Sequence, residues 1–393
     1  MKFMVLLSKI KYEIAIFAVL LVQMAIRINW ANPIETNYLS FYLLDYKVGF
    51  VSRAFIGSIV ALLTKQATVK WLTGFIILSF VFVYFILTLI LGKLIRGTTG
   101  DTKNIVVFLV AVFLFASFSI RIFVQSIGML DIYWFLFALL IMICLKNKFS
   151  KWFIPLLCLF GLATHYSFAF SFLPFTIVLI FYEAYKAKSK ISSIFLAAIS
   201  FFVSVCATVY FVFFSNSQIK LTSDGLYSYL SKKADFHVWR YFFDGYLFYT
   251  DLYSGKKVEG FSGFLEVLKT TAFESMRFSN FFTSLCLTLP LIVLFFCIWK
   301  RAYRLSQKKG EKFIILLCIM LPLPVLPSFI LSTDLPRFLG EILIVQFLML
   351  FYMLIDKNET IIAILKRTEG FFKKYPVMLI LIFVLSLSAY YYK

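Results

Sequence analysis

The sequence predicts an all-α fold, a polytopic bundle of about eleven transmembrane helices, and three observations lead there. Of its 393 residues, 62% are hydrophobic and only 15% are charged, against roughly 45–50% and about 25% in soluble domains. A soluble fold has no way to hide that much apolar surface behind so thin a charged shell. Apolar runs near the ~20 residues that cross a bilayer recur along the whole chain. Lys and Arg, finally, collect in every second connection between those runs. The 50 Phe and 22 Tyr supply lipid-facing belts and an aromatic interior. Disordered, collagen-like and small disulfide-stapled classes are excluded by the same numbers.

Taken in order, the runs fall near 12–29, 71–92, 104–120, 131–145, 152–164, 167–185, 191–214, 281–299, 313–331, 339–355 and 376–392. The first follows Lys2, Lys9 and Lys11 as a signal sequence would. Arg27 closes it and no small-residue cleavage site follows, so it reads as an uncleaved span. The runs at 131–145 and 152–164 are short, which predicts tilted, broken or extended helices there. Prolines punctuate the spans at Pro155, Pro174, Pro290 and in Pro322-Leu-Pro-Val-Leu-Pro327. Such breaks survive at membrane depth only where the freed backbone groups find partners. The last run is suited either to bending its span around a cavity or to plain packing. The whole chain, 1–393, reads as a single integral membrane domain.

Basic clusters at Lys2–Lys11, Lys93–Lys103, Lys146–Lys151, Lys186–Lys190, Lys300–Lys312 and Lys357–Lys374 occupy alternate connections. The positive-inside rule then puts the N-terminus in the cytoplasm. Most of the formal charge of +20 is thus a topology signal and an affinity for anionic lipid headgroups. It does not call for nucleic acid. The six cysteines all lie in apolar runs, as small buried hydrophobes do. No Cys/His spacing suggests a metal, and no cofactor is expected.

The other connections then face outward. The first, 30–70, holds Glu35, Asp45 and Arg53. Its segment Arg53–Thr64 is too short to span and suits a short interfacial helix after the first span. The second holds Arg121, Gln125 and Asp131; the third centres on His165. The fourth, 215–280, is the one long extracytoplasmic loop, carrying Trp239, Arg240, Tyr241, Tyr246 and Arg277 with eight Lys/Arg against seven Asp/Glu. The fifth holds Asp334 and Arg337, with Glu341 one helical turn further on.

Arginines are disfavoured on that side, yet Arg53, Arg121, Arg240, Arg277 and Arg337 all fall there. Three have a carboxylate near in sequence: Asp45 for Arg53, Asp131 for Arg121 and Asp334 for Arg337. Two uses fit such groups, interfacial anchors with local salt bridges or a set facing one cavity. The rings of Trp239, Tyr241 and Tyr246 suit sugar faces and equally suit lipid headgroups. His165 is open to a role as a polar cap or as a proton shuttle.

Arginine presents a planar fork matched to phosphate oxygens, and Asp45, Glu35 or Asp334 is placed to act as general base on a hydroxyl. Together they describe glycosyl transfer from a lipid-linked phosphate or diphosphate, in which stabilising the leaving charge matters more than moving the proton. Gly-rich phosphate loops, HExxH and GxSxG patterns are absent from the sequence.

Asp45-Tyr-Lys-Val-Gly-Phe-Val-Ser-Arg53 and Asp334-Leu-Pro-Arg337 are similar to segments of polysaccharide-cluster membrane proteins. The arrangement of spans around one long outer loop resembles bacterial O-antigen and capsular polysaccharide polymerases. The broader GT-C glycosyltransferases resemble the chain in another detail, an acidic residue ahead of an interfacial helix, matched here by Asp45 or Glu35. The resemblance implies inverting transfer of undecaprenyl-linked oligosaccharide at the outer face of a bacterial cytoplasmic membrane, without a bound nucleotide. Asp45, His165 and Asp334 are the catalytic candidates, the five arginines the phosphate ligands, and Trp239, Tyr241 and Tyr246 the sugar platform. Membrane lipids and a chain-length regulator protein are the expected partners. Two alternatives stay open: a GT-C enzyme adding one sugar from a polyprenyl phosphate, metal-assisted through Asp45 or Glu35, and a lipid-oligosaccharide flippase.

Overall fold

The computed structural model describes residues 2–28, 34–98, 100–187, 190–240, 243, 275–331 and 335–387. Among these residues the chain is all helical, apart from one isolated bridge between Ala67 and Ala234. Helix α1 (Lys2–Arg27) is followed by α2 (Thr36–Ser40), α3 (Ala54–Leu63) and the long α4 (Val69–Gly97). Next come α5 (Lys103–Phe115), α6 (Arg121–Gln125), α7 (Asp131–Cys144), α8 (Ile154–Thr164), α9 (Phe172–Lys186) and α10 (Lys190–Val209). The long loop contributes α11 (Ser223–Ser231). The C-terminal part holds α12 (Ser275–Leu305), α13 (Lys309–Met320), α14 (Leu326–Leu331), α15 (Leu335–Ile355), α16 (Glu359–Lys374) and α17 (Pro376–Leu387).

Among the described residues, six helical stretches are long and apolar enough to cross a membrane: Val69–Gly97, Tyr166–Lys186, Ile191–Val209, Phe282–Leu305, Lys309–Phe329 and Pro336–Ile355. The pair α16 and α17, bent by 101°, makes a seventh if it counts as one span. The chain is therefore a helical, multi-pass membrane protein. Several expected spans are shorter helices instead, and local chemistry explains where they stop. The run at 104–120 leaves the helix at Phe115 because Ser117 N–H donates to Ser386 O (2.9 Å) and Arg121 Nη1 donates to Phe115 O (3.1 Å). The chain then turns at Gly128, whose φ of +103° suits glycine and where a Cβ would meet Ile34 and Tyr38. Pro155 sits in the first turn of α8, where its missing N–H is harmless. At the proline run, helix gives way after Met320 to a 3₁₀ turn at Leu323–Val325, as proline requires.

Helix α3 buries Ala54, Ile56, Gly57 and Val60 and leaves Leu62 and Leu63 exposed. A Cβ at Gly57 would fall 1.9 Å from Leu44 O, so only glycine lets α3 seat under that loop. The described part of the long loop straps over the same region. Ala67 N–H donates to Lys233 O (2.7 Å), Val69 N–H to Asp235 Oδ1 (3.0 Å), and Trp239 N–H to Ser40 Oγ (3.2 Å).

Helix α15 is almost wholly buried and packs against α4, α9, α12 and α16, which puts it at the centre of the bundle. It runs in the same direction as α7: Arg337 meets Asp131 at one end (3.3 Å), and beyond the other end of α7 Lys146 Nζ lies 3.9 Å from the Tyr352 ring centroid. Helix α9 runs the same way, from the neighbourhood of His165 to Glu183, which accepts from Tyr352 OH (2.6 Å) and pairs with Lys146 (2.8 Å). Two polar ends therefore cap an apolar bundle. One gathers helix N-termini with arginines; the other gathers C-termini with Lys146, Lys186, Glu183 and Asp356.

Candidate functional site

The arginine end is built from three segments distant in sequence. Arg53 occupies the left-handed region (φ 72°) as the N-cap of α3, a conformation that costs a non-glycine residue energy and is often kept at functional sites. Its N–H donates to Ala163 O (3.0 Å), while Ser52 Oγ accepts from Tyr166 N–H (3.3 Å). These two bonds sew the first loop to the end of α8 and aim the Arg53 side chain at His165. The guanidinium contacts His165 Nε2 and lies 5.7 Å from the Phe41 ring centroid.

His165 is the single residue between α8 and the 3₁₀ turn that opens α9. It is buried, with Trp134 at 5.3 Å and Tyr166 at 4.6 Å between ring centroids. Burial, with the charges of Arg53 and Arg337, holds its pKa well below the usual 6.5. The ring is thus neutral. Its Nδ1 faces Ser167 N–H (3.0 Å) while Nε2 faces the Arg53 N–H. A neutral imidazole has one lone pair and one N–H, so it accepts from only one of these donors at a time.

Arg337, in the first turn of α15, pairs with Asp131 Oδ2 and lies 3.0 Å from Met129 Sδ. Asp131 is buried and begins α7, where the helix dipole favours a negative charge. Glu341, one turn beyond Arg337, is fully buried on the same helix. The N-termini of α7 and α15 and two guanidiniums thus lie at the His165 end of the bundle, where helix dipoles and guanidiniums favour anions and the Asp131 carboxylate already pairs with one of them.

Asp45 stands in a neighbouring group. Its carboxylate accepts from Lys233 Nζ (2.6 Å), Tyr229 OH (3.1 Å) and Lys47 N–H (3.0 Å). Burial and the Asp45 charge push the Tyr229 hydroxyl up to about 12, so it stays a donor. A cavity of about 210 Å³ opens beside this group, lined by Tyr42, Asp45, Lys47, Gly57, Lys65 and Lys233. Helix α3, capped by Arg53, forms one wall, so the cavity and the arginine–histidine group share an element.

Among the described residues Asp45 takes Lys233, Asp131 takes Arg337 and Arg53 takes His165, while the expected pair of Asp334 with Arg337 lies outside the described residues. Arg121 caps the C-terminal carbonyl of α5. Arg240 binds Asp224 (2.6 Å) and Ser223 Oγ (3.0 Å) at the start of α11. Trp239 donates from Nε1 to Thr36 Oγ1 (3.3 Å) and keeps an exposed face. Arg277 lies on α12, its side chain outside the described set, and Tyr241, Tyr246 and Asp334 lie outside the described residues. Lys233 and Tyr229 escape a reading of the sequence; their i, i+4 spacing at α11 was the available signal. Among the described residues, no group of three or more His, Cys, Asp or Glu is placed to hold a metal ion.

No family model, no curated protein and no solved structure matches this chain.

Proposed function

We propose that the chain is a membrane glycosyltransferase that joins undecaprenyl-diphosphate-linked oligosaccharide units by inverting transfer, as in O-antigen or capsule synthesis. The observation that carries this reading is the buried contact of Arg53 with a neutral His165, close enough to Arg337 to feel its charge. The two guanidiniums hold the diphosphate of the donor. The acceptor hydroxyl attacks the anomeric carbon on the face opposite the diphosphate. The C–O bond to phosphate breaks with its electron pair leaving on the lipid diphosphate, and the hydroxyl proton passes to His165. The ring is a weak base while only cations face it. A bound diphosphate offsets those cations and raises its basicity, so proton transfer is favoured with substrate in place. Asp45 and Asp334, the latter three residues before Arg337 in sequence, complete the candidate catalytic set.

This reading carries a topology: N-terminus in the bacterial cytoplasm, about eleven crossings in which the shorter helices take part, and the loops at 30–70 and 215–280 outside. Membrane lipids and a chain-length regulator are its partners. The single-sugar alternative would use Asp45 or Glu35; the Asp45 oxygens already accept from Lys233, Tyr229 and a backbone N–H, which leaves Glu35, the N-cap residue of α2, for that role.

The test is purified protein in proteoliposomes with fluorescent undecaprenyl-diphosphate oligosaccharide. A ladder of products supports the proposal. Addition of one residue from a polyprenyl-phosphate sugar alone would favour the GT-C reading, and transbilayer movement of lipid without bond formation would overturn both.

A further inference from the structure

The opposite, lysine-rich end of the bundle holds a second site, independent of the reading above. A cavity of about 190 Å³ is lined by Lys146, Asn147, Lys148, Lys151, Glu183 and Ser193. Its carboxylate is already engaged: Glu183 pairs with Lys146, and Asp356 takes both Lys146 and Lys186. Lys148 and Lys151 are therefore in surplus at the cavity wall. Lys151 Nζ donates to Ser192 Oγ (3.1 Å), which holds its ammonium at the start of α10. Ser193, beside it, is buried against the cavity, only 7% exposed.

The rim has the opposite character. Phe149 (84% exposed), Trp152, Phe153, Ile191 and Phe195 all present large apolar surface, and Trp152 meets Phe195 edge to face at 6.3 Å. These residues alternate in sequence with the cavity lining: 149, 152 and 153 interleave with Lys148 and Lys151, and 191 and 195 flank Ser193. A polar, cationic pocket bordered by exposed aromatic and aliphatic side chains is matched by one kind of molecule. It needs a phosphate joined to acyl chains, since a free anion would leave the rim uncovered.

We propose that this cavity binds the headgroup phosphate of an anionic membrane lipid, with Lys148 and Lys151 as its cationic ligands, Ser193 as a hydrogen-bond donor and the aromatic rim on the chains. The full-length protein in detergent micelles is titrated with dioctanoyl phosphatidylglycerol, dioctanoyl phosphatidylcholine or inorganic phosphate while the unfolding midpoint is followed. The anionic lipid alone is expected to give a saturable rise. Lys148→Gln/Lys151→Gln should raise the half-saturating concentration on the order of tenfold or more, given the attraction of each lysine for an anionic headgroup. Lys366→Gln/Arg367→Gln, which removes the same charge from exposed positions on α16, should leave it unchanged. Ser193→Leu fills the cavity without altering charge and should abolish the saturable rise, a readout that stands even if the double lysine variant fails to fold. An equal response to inorganic phosphate, an equal loss in both charge variants, or wild-type titration by Ser193→Leu would each overturn the proposal.

Discussion

The guanidinium of Arg53 meets Nε2 of His165 across 112 residues of sequence. The contact is built by backbone as much as by side chains. Arg53 N–H is bonded to Ala163 O, and Tyr166 N–H to Ser52 Oγ, so the chain on both sides of His165 is tied to Ser52 and Arg53.

Arg53 separates backbone strain from chemistry. Arg53→Gly and Arg53→Ala both delete the guanidinium, but only glycine is at ease at φ 72°. The glycine variant is expected to be more stable than the alanine variant by about 1 kcal/mol, seen in thermal unfolding in detergent. Both should lose transfer activity by roughly 10²-fold, the scale of removing one preorganised donor to a developing charge. Full transfer in either variant would remove Arg53 from the phosphate role.

His165 gives stability a pH dependence of defined sign. Its folded pKa is depressed below the unfolded value of 6.5, so below that value the unfolded chain binds the proton that the folded chain resists. The contribution is complete above pH ~6.5 and declines as pH falls through and below it. His165→Gln should flatten this part of the unfolding-temperature profile. An unchanged slope would show that His165 is not the group responsible.

The Asp45–Lys233 pair predicts a specific double-mutant pattern. Asp45 is buried and the Lys233 side chain is 19% exposed. Asp45→Asn leaves an ammonium without its partner and should destabilise by about 3 kcal/mol. Asp45→Asn/Lys233→Met should recover most of that. A recovered fold with normal product ladders would make Asp45 a strap for the long loop; a recovered fold without transfer would make it part of the chemistry.

Two arginines that look equivalent in sequence should now behave differently. Arg121→Lys disturbs the cap on Phe115 O and is expected to lower stability by about 1 kcal/mol with little change in transfer rate. Arg337→Lys keeps the charge beside Asp131 but loses the planar fork, and transfer should fall at least tenfold. Equal effects on rate in the two variants would contradict this division.

Much of the architecture was legible because hydrophobic run length is a local property. The stretch Val69–Gly97 carries no charge between Lys70 and Lys93, and no tertiary partner is needed to make it a helix long enough to span. The stretch 104–120 is equally apolar, yet its helix ends at Phe115 because Ser117 bonds to Ser386, a partner near the far end of the chain. No window around Ser117 contains that information.

The candidate site divides in the same manner. Composition and the placement of Arg53, His165 and Arg337 at the ends of apolar runs determined that cations gather at one end of a helical membrane bundle. Only the tertiary structure decided the pairing: Asp131 with Arg337, Arg53 with His165, and Asp45 with a lysine from the long loop. The physical reason lies in the common direction of α7 and α15, which puts their first turns at one end of the bundle, and in the strap across α3. Charges pair with the nearest partner in space, and in a bundle the nearest partner sits on another helix.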